Sequence, residues 1–116
     1  MRYLLLIYGA ENGEADMNQS EQRKMMQEYV DYTEALRSAG VMQGGEALQP
    51  TATATTVVDQ GGSPLVTDGP FAETREQLGG FYLLDVPDLD AAIEWAHKCP
   101  GARSGKIELR PVVEFS

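Results

Sequence analysis

The sequence predicts an α+β domain in which two helices cover one face of a mostly antiparallel sheet. Three observations favour this class. Residues 2–8 predict a strand buried on both faces, because apolar and aromatic side chains follow one another from Tyr3 to Tyr8. Two later segments carry apolar residues at helical spacing, and residues 106–115 alternate between apolar and polar side chains. The pattern therefore mixes strand and helix signals along one short chain.

The first helix is predicted from Ser20 to Ala39, after a polar loop over residues 11–19. Ser20 is expected to be its N-cap, and Gly40 takes the position of a glycine just past the C-terminus. Apolar or small side chains recur along one side of this segment, at Met25, Tyr29, Thr33 and Leu36.

The middle of the chain predicts strands separated by glycines. Gly44 and Gly45 are expected to break the chain, and the β-branched run from Thr53 to Asp59 predicts a strand. A turn at residues 60–62 then leads to a short hairpin partner, residues 64–67. Residues 81–86 predict a further strand, which ends at a proline.

The second helix is predicted to begin after an Asp88 cap and to end before Pro100. Its expected buried stripe follows the i, i+3, i+4, i+7 rule and consists of Leu89, Ala92, Ile93 and Ala96. The last strand, Lys106 to Phe115, should be an edge or bulged strand because it contains a proline. The resulting order β-α-β-β(-β)-α-β is that of a ferredoxin-like domain with an antiparallel sheet.

Composition limits the classes of function. The chain has 116 residues, which fits a single domain over 1–116, and its 9 basic and 18 acidic residues give a net charge of −9. Such a charge disfavours nucleic-acid and anionic-membrane partners. One cysteine and one histidine cannot fill a Cys/His zinc site within a single chain, and Gly-rich phosphate motifs are absent, so no cofactor or metal is expected. The short apolar N-terminus does not match a signal peptide, which favours a cytoplasmic protein.

Two strands carry apolar side chains on both faces, although two helices cover only one face of such a sheet. In the first strand Leu4 and Leu6 oppose Leu5, and in residues 81–86 Phe81 opposes Tyr82. The uncovered face would expose a contiguous apolar patch, so we expect a second subunit to cover it. The prediction is a homodimer with a cleft beside the sheet.

The second half of the chain resembles one branch of the YCII-related superfamily. That branch is marked by the tetrapeptide DGPF, here Asp68-Gly69-Pro70-Phe71. The same order of motifs continues through residues 66–76, 78–82, 95–96, 99–100 and 108–112. The resemblance implies a dimeric ferredoxin-like α+β barrel, in agreement with the patterning. It implies little about activity, because the branch is largely uncharacterised.

Other relatives in the superfamily place a histidine on the first helix and an aspartate after the second, and one of them dehydrochlorinates a chlorinated hydroxyquinol. In this sequence those positions correspond to Tyr29 and Cys99. The chain therefore lacks the superfamily's His/Asp pair and has no complete catalytic constellation, so whether it is an enzyme stays open. His97 is predicted to be a helix-terminal cation rather than a base, and Cys99 a packed side chain.

The candidate ligand contacts are Asp68, Arg110, Glu108, Tyr29 and Tyr82. Glu108 and Arg110 should face the cleft, where a guanidinium can bind a planar anion; the alternative is a solvated edge or an intersubunit salt bridge. Arg110 also belongs to a basic cluster with Lys98, Arg103 and Lys106, which can attract an anion. Asp68 is expected first to organise a turn by accepting hydrogen bonds from the following amides, and second to contact a ligand.

Two hypotheses of function follow. The first is an enzyme or binding protein for a small anionic or aromatic metabolite, with its pocket in or beside the dimer cleft. The second is an accessory interaction module. It rests on the resemblance, because members of this branch are often encoded near extracytoplasmic-function sigma factors, and an acidic surface suits a basic partner.

Overall fold

Two helices pack on one face of a four-stranded antiparallel sheet, and a separate two-stranded hairpin extends from it. The computed structural model describes residues 1–11 and 17–115. Most of the loop predicted over residues 11–19, and the last residue of the chain, lie outside the described residues.

The sheet contains four strands, here named β1, β2, β5 and β6. Their bounds are Arg2–Gly9, Met42–Ala47, Gln77–Asp85 and Lys106–Pro111. They lie in the order β2-β5-β1-β6, and every neighbouring pair is antiparallel. This order, with its two crossover helices, confirms the ferredoxin-like α+β fold. β5 carries a bulge at Gly79, where the register with β1 shifts between Ile7 and Tyr8.

The second strand of the sheet is one that the sequence analysis missed. The prediction that Gly44 and Gly45 break the chain is wrong, because both lie within β2 and pair with Leu83 and Tyr82. Gly45 is required there for space: a Cβ atom on it would lie 2.7 Å from the Phe81 carbonyl oxygen and 2.8 Å from the Tyr82 ring.

The β-branched segment after β2 forms its own hairpin instead of joining the sheet. β3, Thr55–Gln60, pairs only with β4, Ser63–Asp68. Gly61 and Gly62 both have positive φ, at 60° and 93°, which confirms the predicted turn between the two strands. A short 3₁₀ turn, Thr51–Thr53, links the hairpin to β2.

The first helix, α1, runs from Gln19 to Ser38, and the predicted N-cap is wrong by two residues. Asn18 is the cap, because its side chain accepts a hydrogen bond from the Glu21 amide at 2.8 Å. Gly40 lies past the C-cap with φ 71°, as predicted. The buried side of α1 includes Tyr32 as well as the predicted Leu36.

The second helix, α2, spans Leu89–Lys98, and its predicted Asp88 cap is confirmed by a 2.9 Å bond from the Ala91 amide. Its predicted stripe is confirmed at Ala92 and Ala96 but wrong at Leu89 and Ile93, which are each 49% exposed. The face that packs on the sheet is rotated, with Ala92 buried and Trp95 and Ala96 against the core. Trp95 supplies the large apolar area on this side, so the helix turns to bury it.

The core lies between the sheet and the two helices. It is formed by Tyr3, Leu5, Tyr32, Leu36, Tyr82, Leu84, Val86, Ala92 and Cys99. A 3₁₀ turn, Pro100–Arg103, connects α2 to β6. β6 ends at Pro111, earlier than predicted, and Val113 and Phe115 are exposed beyond it.

Candidate functional site

The face of the sheet opposite the helices is apolar and is not covered by any element of the described chain. Antiparallel partners share a face, so the pairs Leu4↔Leu83 and Leu6↔Phe81 define one side, whereas Leu5↔Tyr82 lies on the helix side. The side chains on the first of these two sides are each half-buried within the single chain: Leu4, Leu6, Phe81 and Leu83. We call this side, Leu4, Leu6, Phe81 and Leu83 with the β6 residues paired to them, the open face.

Glu108 and Arg110 lie on the open face, as the alternation of the last strand predicts. Arg110 pairs with Leu4 and Glu108 with Leu6 along the β1–β6 ladder. Both are exposed. The two charges therefore border the apolar side chains along the edge of the sheet, and an apolar ligand with an anionic group can contact both kinds of surface.

Arg110 differs from the other basic residues of its cluster. Arg103 forms an ion pair with Glu28, and Lys106 forms one with Glu76. Lys98 lies 5.1 Å from the centroid of the Trp95 ring, a cation–π contact. Within residues 1–11 and 17–115, no ion pair or hydrogen bond engages the Arg110 side chain. Three members of the predicted basic cluster therefore each have a different partner, and the guanidinium of Arg110 stays free beside apolar side chains.

A second guanidinium lies near the same end of the sheet but is already engaged. The Nε and one terminal nitrogen of Arg2 each donate a 3.0 Å hydrogen bond to the Glu114 carboxylate. The bidentate contact with Arg2 lowers the pKa of Glu114. Arg2 is therefore compensated by this carboxylate, in contrast to Arg110.

Tyr82 and Tyr29 lie on the other side of the sheet, away from Glu108 and Arg110. Tyr82 is buried, and its hydroxyl lies 2.7 Å from Thr33 Oγ1 on α1. Burial raises the pKa of Tyr82, so its hydroxyl stays protonated near neutral pH. The candidates predicted from the sequence therefore do not form one site.

The two positions that the superfamily resemblance assigns to a His/Asp pair do meet in space. The Cys99 thiol donates a long hydrogen bond, 3.9 Å, to the Tyr29 hydroxyl. Burial raises the pKa of both groups, so both are neutral near pH 7. Gly101 allows this contact, since a Cβ atom there would lie 2.6 Å from the Tyr29 hydroxyl. A neutral phenol and a neutral thiol supply no base at these positions.

A shallow groove of about 330 Å³ runs between α1 and the end of α2. Its walls carry charges of both signs, from Glu28 and Asp31 on one side and Lys98 and Arg103 on the other. His97 lies at this groove and is exposed. Two of these charges already pair with each other, and the groove offers no concentrated charge for an anionic ligand.

Asp68 is the last residue of β4, and its side chain is exposed. The turn after it is held by Gly69, which has φ 97° and whose amide donates a 2.7 Å bond to the Ala54 carbonyl. Thr56 Oγ1 in turn donates to the Gly69 carbonyl at 2.8 Å. No hydrogen bond in the described part of the chain reaches the Asp68 carboxylate, so the turn does not use it as the sequence analysis expected.

Three contributors to this region escaped the sequence analysis. Tyr32 donates a 2.7 Å hydrogen bond to the Trp95 carbonyl and contacts the Tyr82 and Trp95 rings edge-on. Its place on the helix, three residues before Ala35 and four before Leu36, was the available signal. Gly45 and Gly101 carry no comparable signal, because a glycine needed for close approach resembles a turn glycine in sequence.

Across the described residues, no group of three or more His, Cys, Asp and Glu side chains is arranged to hold a metal ion. The same residues include no helix with the length and apolar character needed to cross a membrane.

Comparison with known proteins places these features in a family. The YCII-related domain matches residues 1–116. An uncharacterised protein from Rhizobium meliloti (strain 1021) is 35% identical over 117 residues, which cover 99% of this chain and 94% of that protein. The name of this relative describes no activity. The match therefore supports the family and the length of the domain, but it indicates no substrate. On the extent of both matches, this chain belongs to the YCII-related domain family.

Proposed function

We propose that the protein is a homodimer that binds a small, planar organic anion, such as an aromatic carboxylate, on the open face. The observation that carries this proposal is the free Arg110 guanidinium beside half-buried apolar side chains. An aromatic ring fits the apolar surface, and a carboxylate is the planar anion that a guanidinium binds with two parallel hydrogen bonds.

The homodimer follows from the same surface. Leu4, Leu6, Phe81 and Leu83 form one contiguous apolar area across the two central strands. A second copy of the chain presents the same area, so a twofold axis can bring the two together as a self-complementary interface. Between the two sheets water is reduced, and this strengthens the attraction between Arg110 and a ligand anion.

Glu108 is the second polar group of the proposed site. It lies two residues before Arg110 on the same face of β6, at a spacing of roughly 7 Å along the strand. A carboxylate at that distance can accept a hydrogen bond from a hydroxyl or amino group of the ligand while Arg110 holds its anionic end. The pair therefore favours ligands that carry both an acid and a donor group.

Binding, rather than acid–base catalysis at the superfamily positions, is what the side chains support. Tyr29 and Cys99 are neutral near pH 7, lie on the helix side, and are separated from Arg110 by the sheet itself. A proton-transfer step at these positions would require a pKa near the working pH, and burial moves both values upward, away from it.

The test is a titration of the purified protein with benzoate and hydroxybenzoates, followed by calorimetry and by the thermal midpoint. We expect Arg110→Gln to weaken binding at least about tenfold, equivalent to about 1.4 kcal/mol. Lys98→Gln, which removes a cation from the other side of the molecule, should leave binding within about twofold. Arg110→Lys distinguishes bidentate binding from a simple charge effect, since it keeps the charge and loses the fork.

Two results would contradict the proposal. One is that no aromatic carboxylate raises the thermal midpoint of the wild-type protein. The other is that Arg110→Gln and Lys98→Gln weaken binding equally, because the effect would then be one of net charge alone.

The net charge of −9 favours a second candidate function, an accessory module that binds a basic protein such as an extracytoplasmic-function sigma factor. Such binding should weaken steeply with salt and should be insensitive to Arg110→Gln. Co-purification with a sigma factor encoded nearby, measured at two salt concentrations without any carboxylate present, separates this function from the first.

A further inference from the structure

The β3–β4 hairpin is an element without a packing partner in its own chain. Its two strands make their extensive contacts only with each other. Eleven of its twelve residues are exposed, and Thr56 is the exception. A two-stranded hairpin on its own is marginally stable in water, because it lacks a covered apolar face.

Both faces of the hairpin carry apolar pairs. Val57 lies opposite Val66 on one face, and they are 62% and 59% exposed. Val58 lies opposite Leu65 on the other, and they are 53% and 47% exposed. Four large apolar side chains on a projecting hairpin are a feature of segments that pack against something else.

The dimensions of the chain also indicate that part of its surface is covered by a partner. Its accessible surface is 8380 Å², whereas a monomeric protein of 12.7 kDa has about 6,200 Å². Its radius of gyration is 16.2 Å, against about 13 Å for a compact domain of this length. The excess surface, about 2,200 Å² per chain, is the size of the area that each subunit buries in a large dimer interface.

Charge identifies which faces meet. The Val57/Val66 face of the hairpin also carries Asp59 and Asp68, because these residues alternate with the valines along β3 and β4. The open face presents apolar side chains bordered on β6 by Glu108 and by the unengaged guanidinium of Arg110, whereas Lys106 is already paired with Glu76. Both surfaces are apolar and uncovered in the single chain, and Arg110 is the cation of the open face that the aspartates of the hairpin can approach.

We infer that the β3–β4 hairpin is an arm that packs its Val57/Val66 face at the β6 border of the open face of a second copy of this chain, beside the area where the two sheets meet, and closes the ligand site there. The inference rests on the proposed homodimer and adds a component that each site lacks without its partner. Each copy gives an arm and receives one, so the exchange is reciprocal about a twofold axis. Asp68 then belongs to the rim of the partner's site, which places its unpartnered carboxylate near the end of β6 that carries Arg110.

The test is amide hydrogen exchange of the wild-type chain at about 100 µM and about 0.1 µM, on either side of the expected dissociation of the dimer. We expect the ladder amides of residues 56–67 to exchange at least about 100-fold more slowly at the higher concentration, since an uncovered hairpin opens readily. The amides of β1 and β5 serve as an internal reference for the fold of each subunit.

Paired substitutions test the face. Val57→Thr with Val66→Thr keeps the strand propensity of the arm but removes its apolar surface, and it should raise the dimer dissociation constant at least about 30-fold. Val58→Thr with Leu65→Thr is the matched control on the opposite face, and we expect a change below about threefold. Equal effects from the two pairs, or a larger effect from the control pair, would overturn the assignment of the face.

The outcomes separate this inference from the proposed ligand function. A dimer whose arm amides exchange equally fast at both concentrations overturns the arm and leaves the Arg110 site standing. Protected arm amides in a protein that binds no aromatic carboxylate support the arm and overturn the ligand. A chain that stays monomeric at the higher concentration overturns the arm together with the homodimer.

Discussion

The Tyr82 hydroxyl lies 2.7 Å from Thr33 Oγ1, and this contact joins the central strand β5 to the first helix. It is a polar contact at the edge of an otherwise apolar core, where Tyr82 also meets the Tyr32 ring edge-on at 5.5 Å between centroids. A buried hydroxyl without a partner is costly, so Thr33 is needed at a position where a valine would fit by size.

Thr33→Val should therefore lower the free energy of unfolding by about 1–3 kcal/mol, because it leaves the Tyr82 hydroxyl unpaired. Thr33→Ser keeps the oxygen and should lose less. The double variant Thr33→Val with Tyr82→Phe should recover part of the loss, and urea denaturation at one fixed protein concentration measures the coupling. Strict additivity of the two single changes would show that the contact contributes nothing.

Gly45→Ala should destabilise the protein by about 1–3 kcal/mol, since the new methyl group would meet the Phe81 carbonyl and the Tyr82 ring at under 3 Å. Gly44→Ala is the control one residue earlier on the same strand, where a Cβ atom meets nothing within 4 Å. Thermal and urea unfolding of the two variants provide the comparison. A loss of stability as large in Gly44→Ala would mean that glycine is needed in β2 for backbone reasons alone.

Asp68→Asn and Asp68→Ala should both retain the free energy of unfolding of the wild-type chain within about 0.5 kcal/mol, because the turn that follows does not use the carboxylate. This reverses the expectation drawn from the sequence. Gly69→Ala should be destabilising by more than about 1 kcal/mol, as its φ is 97°. Urea denaturation at one fixed, low protein concentration makes the comparison, and a marked loss in Asp68→Ala alone would restore the original structural role.

The stability of the protein should fall as the pH rises above about 8.5, where the thiol of an unfolded chain begins to ionise. Burial raises the pKa of Cys99 in the folded state, so the folded chain holds its proton longer than the unfolded chain does. In that window the unfolded state binds fewer protons, and the free energy of unfolding decreases with pH.

Cys99→Ala removes this titration and should give a flatter dependence between about pH 8 and pH 9.5, below the range where tyrosines of the unfolded chain ionise. Urea midpoints measured at four pH values within that interval test the difference in slope. Parallel curves for the wild type and Cys99→Ala would assign the loss of stability at high pH to other groups.

Much of the fold was predictable because local patterns agreed with the tertiary structure. The apolar run at residues 2–8 and the alternation in β6 identified sheet strands, and the Asp88 cap and Gly40 identified helix ends. The strand β2 was missed because its two glycines reduce strand propensity, while the space that the Tyr82 ring needs is a tertiary requirement. The segment with the strongest propensity, β3, proved to lie outside the sheet.

Part of the candidate site was also predictable, because the local alternation of side chains agreed with the tertiary structure. Alternation along β6 correctly placed Glu108 and Arg110 together on the open face, because a period of two fixes the side of a strand. It could not show that Lys106 and Arg103 are engaged by glutamates from distant segments. The sequence analysis named Tyr82 as a candidate ligand contact together with Glu108 and Arg110. Tyr82 lies between Phe81 and Leu83 on its strand, so its side chain is on the helix side instead.

The bulge at Gly79 determines the membership of the open face. After it along β5, Gly80 pairs with Ile7 on the helix side, and before it Leu78 pairs with Tyr8 on the open side. Gly80 and Leu78 therefore lie on opposite faces of the sheet although both are even-numbered, because the extra residue Gly79 shifts the alternation of β5 by one position. If Gly79 instead took a regular place in the ladder, Leu78 would lie on the helix side and Gln77 would turn toward the apolar surface. The extra residue in this strand, and not only the composition of the strand, therefore determines which side chains form the open face.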